Sequence, residues 1–171
     1  SDTNDNGHVV WKAFDNDTST FWFSQPGSGD SDSSYINGYP RGNDGQTITD
    51  SNGTDHVGSW GKIEFPHKFV LDYIQVYGGT PVSSYYPHNP DNYVILASND
   101  DVSYDLISSR TSASPTTTGM TSGGTQIDVH SVNASKAYKY FIFMVTKINS
   151  SLSGGREFII AELKLFGHRE N

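Results

Sequence analysis

Two stretches of this chain carry side chains that could do chemistry. Residues 13–22 read Ala-Phe-Asp-Asn-Asp-Thr-Ser-Thr-Phe-Trp, which sets the Asp15 and Asp17 carboxylates and the Thr18, Ser19 and Thr20 hydroxyls between aromatic residues. A run this polar does not pack as core. Oxygen-bearing side chains at alternating positions suit a hard cation such as Ca2+, which takes about six to eight oxygen ligands. Asp15, Asp17 and Ser19 match the opening of an EF-hand loop, but Thr20 stands at its glycine place and Pro26 at its bidentate glutamate place. A further acid must therefore come from elsewhere in the chain.

The second stretch is Tyr85-Tyr86-Pro87-His88-Asn89. A sugar presents an apolar C–H face and a rim of hydroxyls. Its site needs an aromatic platform and a few fixed polar groups, in a shallow hollow on loops held by a rigid scaffold. Tyr85, Tyr86, His88 and Asn89 supply both kinds within five residues. Tyr35, Tyr39 and Arg41 in an earlier loop, and Arg156 in a later one, are expected to complete the hollow.

Catalytic signatures are missing. Histidines stand at positions 8, 56, 67, 88, 130 and 168, with no pair at the spacing of a helical metal site. There is no Gly-x-Ser-x-Gly elbow, no His-Glu-x-x-His and no phosphate-binding glycine loop. Most of the 19 acids fall in segments rich in Asp, Asn and Ser, where turn formation and solvation account for them. The expectation is a protein that is not an enzyme.

At 171 residues the chain is expected to form a single domain, residues 1–171, burying about 70% of its unfolded surface. Apolar residues make up only 34%, but aromatics reach 13%, enough for a packed core. Abundant Gly, Ser, Thr, Asn and Asp suit short strands joined by many turns. The formal net charge of -8 argues against nucleic acid and against anionic membranes, both of which want basic patches. No apolar run approaches the ~20 residues of a membrane span. There are no cysteines. The chain starts and stops close to the expected domain edges, as a module of a larger multi-domain protein would.

The elements that must hold these stretches read as strands. Trp11 and Phe14 are expected to face inward ahead of the polar loop. Residues 24–57 form a long loop, with a short strand at 46–49. Alternation predicts strands at 60–65, ended by Pro66, and at 69–77. A proline-bearing loop covers 78–91. Residues 93–97 are apolar enough to be buried on both faces. Further strands are expected at 104–108, 126–130 and 138–146, the last with Phe141, Phe143 and Val145 inward. A loop at 148–157 leads to a final strand at 158–166, with Ile159, Ala161, Leu163 and Leu165 on one face.

Four stretches in order carry a resemblance: Ala13 to Trp22; Gly58-Ser59-Trp60-Gly61-Lys62-Ile63; Tyr93 to Asp100; and Ile160-Ala161-Glu162-Leu163-Lys164-Leu165-Phe166-Gly167. Together they cover nearly the whole chain. They resemble the discoidin-like, or coagulation factor 5/8 type C-like, galactose-binding domain family, which includes sugar-binding modules of the family 32 type. The resemblance implies an all-β jelly-roll sandwich of about eight main antiparallel strands with long rim loops. It also implies a structural Ca2+. Its ligands would be the Lys12 carbonyl, the Asp15 carboxylate, an oxygen of Asp17, the Thr20 hydroxyl or carbonyl, the Ala161 carbonyl and the Glu162 carboxylate. The chain departs from the family in three ways. Asn16 replaces the glycine after the first Asp, the disulfide usual in vertebrate members is absent, and the 78–91 loop holds Asn89 but no Arg.

The function expected is a non-catalytic carbohydrate-binding or adhesion module, acting outside a cell or on a virus or phage particle. Its partners would be glycans, without nucleic acid or membrane insertion. The alternative is a protein–protein interaction or structural module of a multi-domain surface protein.

Overall fold

The computed structural model describes residues 10–24, 35–36, 39–40, 46–78, 89–111, 124–149 and 158–170. A 3-10 turn, Val10–Phe14, precedes ten strands: β1 Trp22–Phe23, β2 Tyr35–Ile36, β3 Tyr39–Pro40, β4 Gln46–Thr49, β5 Asp55–Gly78, β6 Pro90–Ser98, β7 Asp105–Arg110, β8 Gln126–Ser131, β9 Tyr138–Ile148 and β10 Ile159–Arg169. Every pairing is antiparallel, and eight strands join one sheet folded into a sandwich. β2 and β3 form a separate small hairpin.

The fold turns on β5. Its first part pairs with β4 and, through Ser59 to Glu64, with β9. Its second part, Phe69 to Gly78, pairs with β10 and β8. One strand therefore belongs to both layers. Pro66 was expected to end a strand; instead the chain runs on through it, and the ladder to β9 slips between Glu64 and Phe69. Proline removes a ladder donor, so the strand changes partners there rather than stopping.

Phe141, Phe143 and Val145 do face the main core, where they meet Ile95, Tyr93 and Phe158. Ile142 and Met144, on the opposite face of β9, are buried too, in a second cluster with Leu96, Tyr104 and the partly buried Ile48. β6 is likewise buried on both faces, as its sequence predicts. In β10 the expected phase fails. Ile160 joins the main core with Leu163, and Ile159 does not. The register jumps from Ile160–Gly78 to Glu162–Tyr77, so Ala161 is the extra residue of a bulge. Trp11 is a third correction. The tight 3-10 turn buries Ala13 and half-buries Phe14, but leaves Trp11 56% exposed.

Candidate functional site

The Asp15 loop leaves the 3-10 turn through Asn16, whose φ of 59° is left-handed. Asn adopts this conformation more readily than most residues, so the turn forms here without glycine. Two local bonds shape the loop: the Asp17 amide donates to Asp15 Oδ1 at 3.0 Å, and the Ser19 amide donates to Asp17 Oδ1 at 2.9 Å. The Ser19 hydroxyl adds a bond at 2.6 Å, and together these hold the Asp17 carboxyl below its ordinary value. Asp17 thus turns its side chain to Ser19 and offers the interior its carbonyl.

The Thr20 hydroxyl gathers the rest. Its Oγ1 lies 2.7 Å from Asp15 Oδ2, 3.1 Å from the Asp17 carbonyl oxygen and 3.5 Å from the Lys12 carbonyl oxygen. One hydroxyl has one proton to donate, so it satisfies one of these acceptors and meets the others lone pair to lone pair. Glu162 arrives from β10. It is only 3% exposed, and its Oε2 is buried with no hydrogen-bond partner. Burial pushes its carboxyl above the ordinary value and the Asp15 charge adds to this, while Lys164 and the backbone amides of Asn16 and Asp17 pull the other way. Ala161, the bulge residue, has no register partner on β5 and is fully buried. Gly124 lets this corner close: its amide donates to the Thr18 carbonyl at 2.8 Å, and a Cβ there would lie 2.4 Å from the Ala161 Cβ.

Lys12, Asp15, Asp17, Thr20, Ala161 and Glu162 therefore meet at one corner. Among the described residues no three His, Cys, Asp or Glu side chains are grouped so that they could hold a metal ion. The donor set is two carboxylates with carbonyls and a hydroxyl, all oxygen, which is the chemistry of a hard cation. A buried carboxylate oxygen without a partner is costly, and a cation would remove that cost.

The expected ligand residues divide. Tyr85, Tyr86, His88, Arg41 and Arg156 lie outside the described residues. Tyr35 is fully buried: its hydroxyl donates to the Val145 carbonyl at 2.7 Å and accepts from the Ser59 amide at 3.2 Å. A ring fixed between strands has no face for a sugar, so Tyr35 is corrected to a core strut. Asn89 is corrected as well. It is 2% exposed, its carbonyl accepts from the Asn149 amide at 2.9 Å, and its amide side chain fills the space a Cβ on Gly78 would need.

Tyr39 differs, with 58% of its surface in solvent. Lys147 Nζ lies 5.7 Å from the centre of its ring and 2.5 Å from Asp91 Oδ2. Asp91 keeps the Lys147 ammonium protonated above its ordinary value. Asp91 and Lys147 are absent from the sequence reading. The signal for Lys147 is there: a lysine near the end of an otherwise apolar run is placed where the strand emerges.

A third cluster also escaped the sequence reading. Arg110 donates twice to Asp128, at 2.9 and 3.0 Å, and the Tyr93 hydroxyl donates to Asp128 at 2.6 Å. Burial alone would raise the Asp128 carboxyl; Arg110 and Tyr93 outweigh it and hold the group below its ordinary value. His130 Nε2 lies 2.6 Å from the Ser108 Oγ, a nucleophile–base spacing. Both Asp128 oxygens are taken by Arg110 and Tyr93, however, rather than orienting His130. The group ties β7 to β8, and so one layer to the other.

The architecture is an antiparallel β-sandwich, and its likeness to known proteins lies in that fold. No family model matches the chain, and no curated protein matches it. Solved structures do. A module called CBM32-3, from a family 31 glycoside hydrolase of Clostridium perfringens, matches 98% of this chain and 85% of its own, at 16% identity and a TM-score of 0.54. CBM32-5 of the C. perfringens protein CpGH89, solved in complex with GalNAc-β-1,3-galactose, matches 98% of this chain and 88% of its own, at 12% identity and a TM-score of 0.53. A family 89 glycoside hydrolase from C. perfringens matches 99% of this chain at 18% identity and a TM-score of 0.56, but this chain spans only 14% of it. The likeness is one of fold.

Proposed function

We propose that the chain is a non-catalytic carbohydrate-binding module that recognises glycans at its rim and is stabilised by a structural calcium ion. The observation that carries this reading is the Tyr39 ring, 58% exposed, with Lys147 of the Lys147–Asp91 pair lying 5.7 Å from its centre. The ring supplies a stacking face. The ammonium and carboxylate supply donors and acceptors to neighbouring hydroxyls without net charge. Tyr85, Tyr86, His88, Arg41 and Arg156 belong to the segments flanking this rim in sequence and are proposed to extend it. One sugar ring on so shallow a surface is expected to bind at about 1 mM, or about 4 kcal/mol, so useful adhesion needs several copies.

The calcium ion would be held by the Asp15 and Glu162 carboxylates, the carbonyls of Lys12, Asp17 and Ala161, and Thr20. Its role is to fasten the loop before β1 to β10, near the other end of the chain, and it does not touch the sugar. Closing so long a loop is where such a clip stabilises most. Calcium sites of extracellular modules bind at about 10⁻⁴–10⁻³ M, and the protein is proposed to act outside the cell. A glycan array tests the reading. Binding to one or more glycans, with calcium present, is expected; a protein that ignores every glycan yet captures a protein ligand would instead be an interaction module.

A further inference from the structure

A groove of about 660 Å³ lies away from the rim, between the 3-10 turn, residues 62–65 of β5 and residues 162–166 of β10. Each long wall is a run of consecutive residues, although side chains along a strand alternate between faces. On β5, Lys62 and Glu64 turn outward to Asp101 and Lys139, while Phe65 packs on the core. What faces the groove along each wall is therefore a strand edge. Both edges lack a neighbouring strand. Ser59 to Glu64 pair only with β9, Glu162 to Arg169 pair only with β5, and β1 reaches β10 only at Ile159 and Ile160. Among the described residues, no backbone-to-backbone hydrogen bond outside these ladders reaches 62–65 or 162–166. The opposite border of the sandwich differs, because there Arg110–Asp128 and Ser108–His130 lace β7 to β8. On the groove side the 3-10 turn packs at one end, where Val10 Cγ2 would lie 2.5 Å from a Cβ on Gly61.

Unpaired amides and carbonyls along an edge are a template for one more strand. Packed layers lie about 10 Å apart, roughly twice the ~4.8 Å between paired strands, so a single added strand matches the gap. At ~3.3 Å per residue, these walls accommodate about four or five residues. The side chains of such a strand are dictated by β10, because residues directly opposite share a face. Those opposite Leu163 and Leu165 would meet the core and the floor of Phe14 and Phe65, and must be apolar. The one opposite Lys164 would share its outward face. Lys164 donates to Asn16 Oδ1 at 2.9 Å and lies 5.4 Å from the centre of the Tyr77 ring, and both of these partners are neutral. The nearby Glu162 carboxylate accepts from the Asn16 and Asp17 amides and belongs to the cation corner. An acid opposite Lys164 is the complement. Trp11 stands at the lip, 56% exposed, where it would cover an occupant.

We propose that this groove is a docking slot for an extended peptide segment of a partner protein, which adds as a strand to the free edge of β10. Its alternate residues are apolar and face the floor, and an acidic residue stands opposite Lys164. This goes beyond the carbohydrate-binding reading and does not depend on it, since none of Tyr39, Asp91 and Lys147 lines the groove.

The test is a two-dimensional amide NMR titration of the ¹⁵N-labelled chain, in calcium, with short capped peptides that alternate valine and threonine. One peptide carries a central glutamate and one a central lysine. A third carries the glutamate but has proline in place of the valines beside it, which removes ladder donors. The glutamate peptide is expected to shift the amides of Ile63 to Phe65 and Leu163 to Phe166 saturably. The lysine peptide should bind about fivefold more weakly, and the proline peptide should leave the groove unchanged. Lys164→Gln, a neutral variant that keeps the length of the stem, should bind the glutamate and lysine peptides alike. No groove shift with the glutamate peptide overturns the slot. Groove shifts with the proline peptide overturn strand addition. Equal binding of the two charged peptides by wild type, or a preference that survives in Lys164→Gln, overturns the role of Lys164. Groove shifts that follow protein concentration without any peptide would mark a contact between copies of this chain, and overturn the proposal.

Discussion

The Asp15 loop and the Tyr39 rim are both polar, yet they dispose of their polar atoms in opposite ways. In the loop, oxygens turn toward one another around Thr20, and Glu162 brings a buried oxygen with no partner. At the rim, Asp91 and Lys147 satisfy each other, and the Tyr39 ring, with Lys147 over it, is more than half exposed. On the proposed reading, a cation answers the buried Glu162 oxygen that has no partner, and the corner serves stability. On the same reading, the rim pair and the exposed part of the ring are what a glycan would meet. Two tyrosines four positions apart repeat the contrast: Tyr35 is a strut with its hydroxyl bonded to two strands, and Tyr39 is more than half exposed.

The largest effect expected from this contrast is on stability. A ligand at about 100 times its dissociation constant adds about 2.7 kcal/mol, and a domain of this size shifts about 2–4 °C per kcal/mol. Stripping divalent ions should therefore lower the melting temperature by about 5–10 °C. Asp15→Ala and Glu162→Ala should fold, melt lower and no longer respond to chelator. If wild type, with metal removal verified by elemental analysis, melts as it does with calcium, the loop is not a cation site.

The next effect separates the two tyrosines. Tyr35→Phe leaves the Val145 carbonyl and the Ser59 amide without their partner, a loss of about 1–3 kcal/mol for buried groups. Denaturant melts should show that loss, with glycan binding unchanged. A variant that kept its stability and lost its ligand would return Tyr35 to the site.

A smaller effect belongs to the seam between the layers, which involves neither region. His130 packs edge-on to Tyr93 beside Ser108 and Asp128, and burial lowers its pKa, with Asp128 opposing that and Arg110 adding to it. A depressed folded pKa means the neutral ring is the stabilising form. Its contribution is complete above the unfolded value of about 6.5 and is lost as pH falls through the lower folded value. Melting temperatures between about pH 7.5 and pH 5 should decline, and less steeply in His130→Gln. An identical slope in the variant would contradict this assignment.

Much of the scaffold was legible because period-2 patterning survives wherever one face meets the core, as in Phe141, Phe143 and Val145. That Asp15, Asp17, Thr20 and Glu162 lie near one another was legible too, since the first three are local and Glu162 came with the family resemblance. What sequence did not carry was depth. Tyr35 and Tyr39 share the same Gly-, Ser- and Asn-rich context, and only the distant Val145 and Ser59 decide which is buried. The bulge at Ala161 depends on pairing with Gly78 and Tyr77, so the phase of Ile160 was hidden. Trp11 was misjudged because a 3-10 turn replaces the extended phase that an inward reading assumes. Pro66 marked a real break in pairing, but the break is a change of partner between layers.

The central claim is that stability and recognition reside in separate regions, and one crossed measurement tests it. Take whichever glycan wild type binds, and measure affinity and melting temperature side by side for Tyr39→Ala and Glu162→Ala. Tyr39→Ala should melt within about 1 °C of wild type, because an exposed side chain carries little stability, and should bind at least about tenfold more weakly. Glu162→Ala should melt well below wild type and, at a temperature where it is folded, keep the wild-type affinity. Undiminished binding by Tyr39→Ala, or lost binding by folded Glu162→Ala, would contradict the separation.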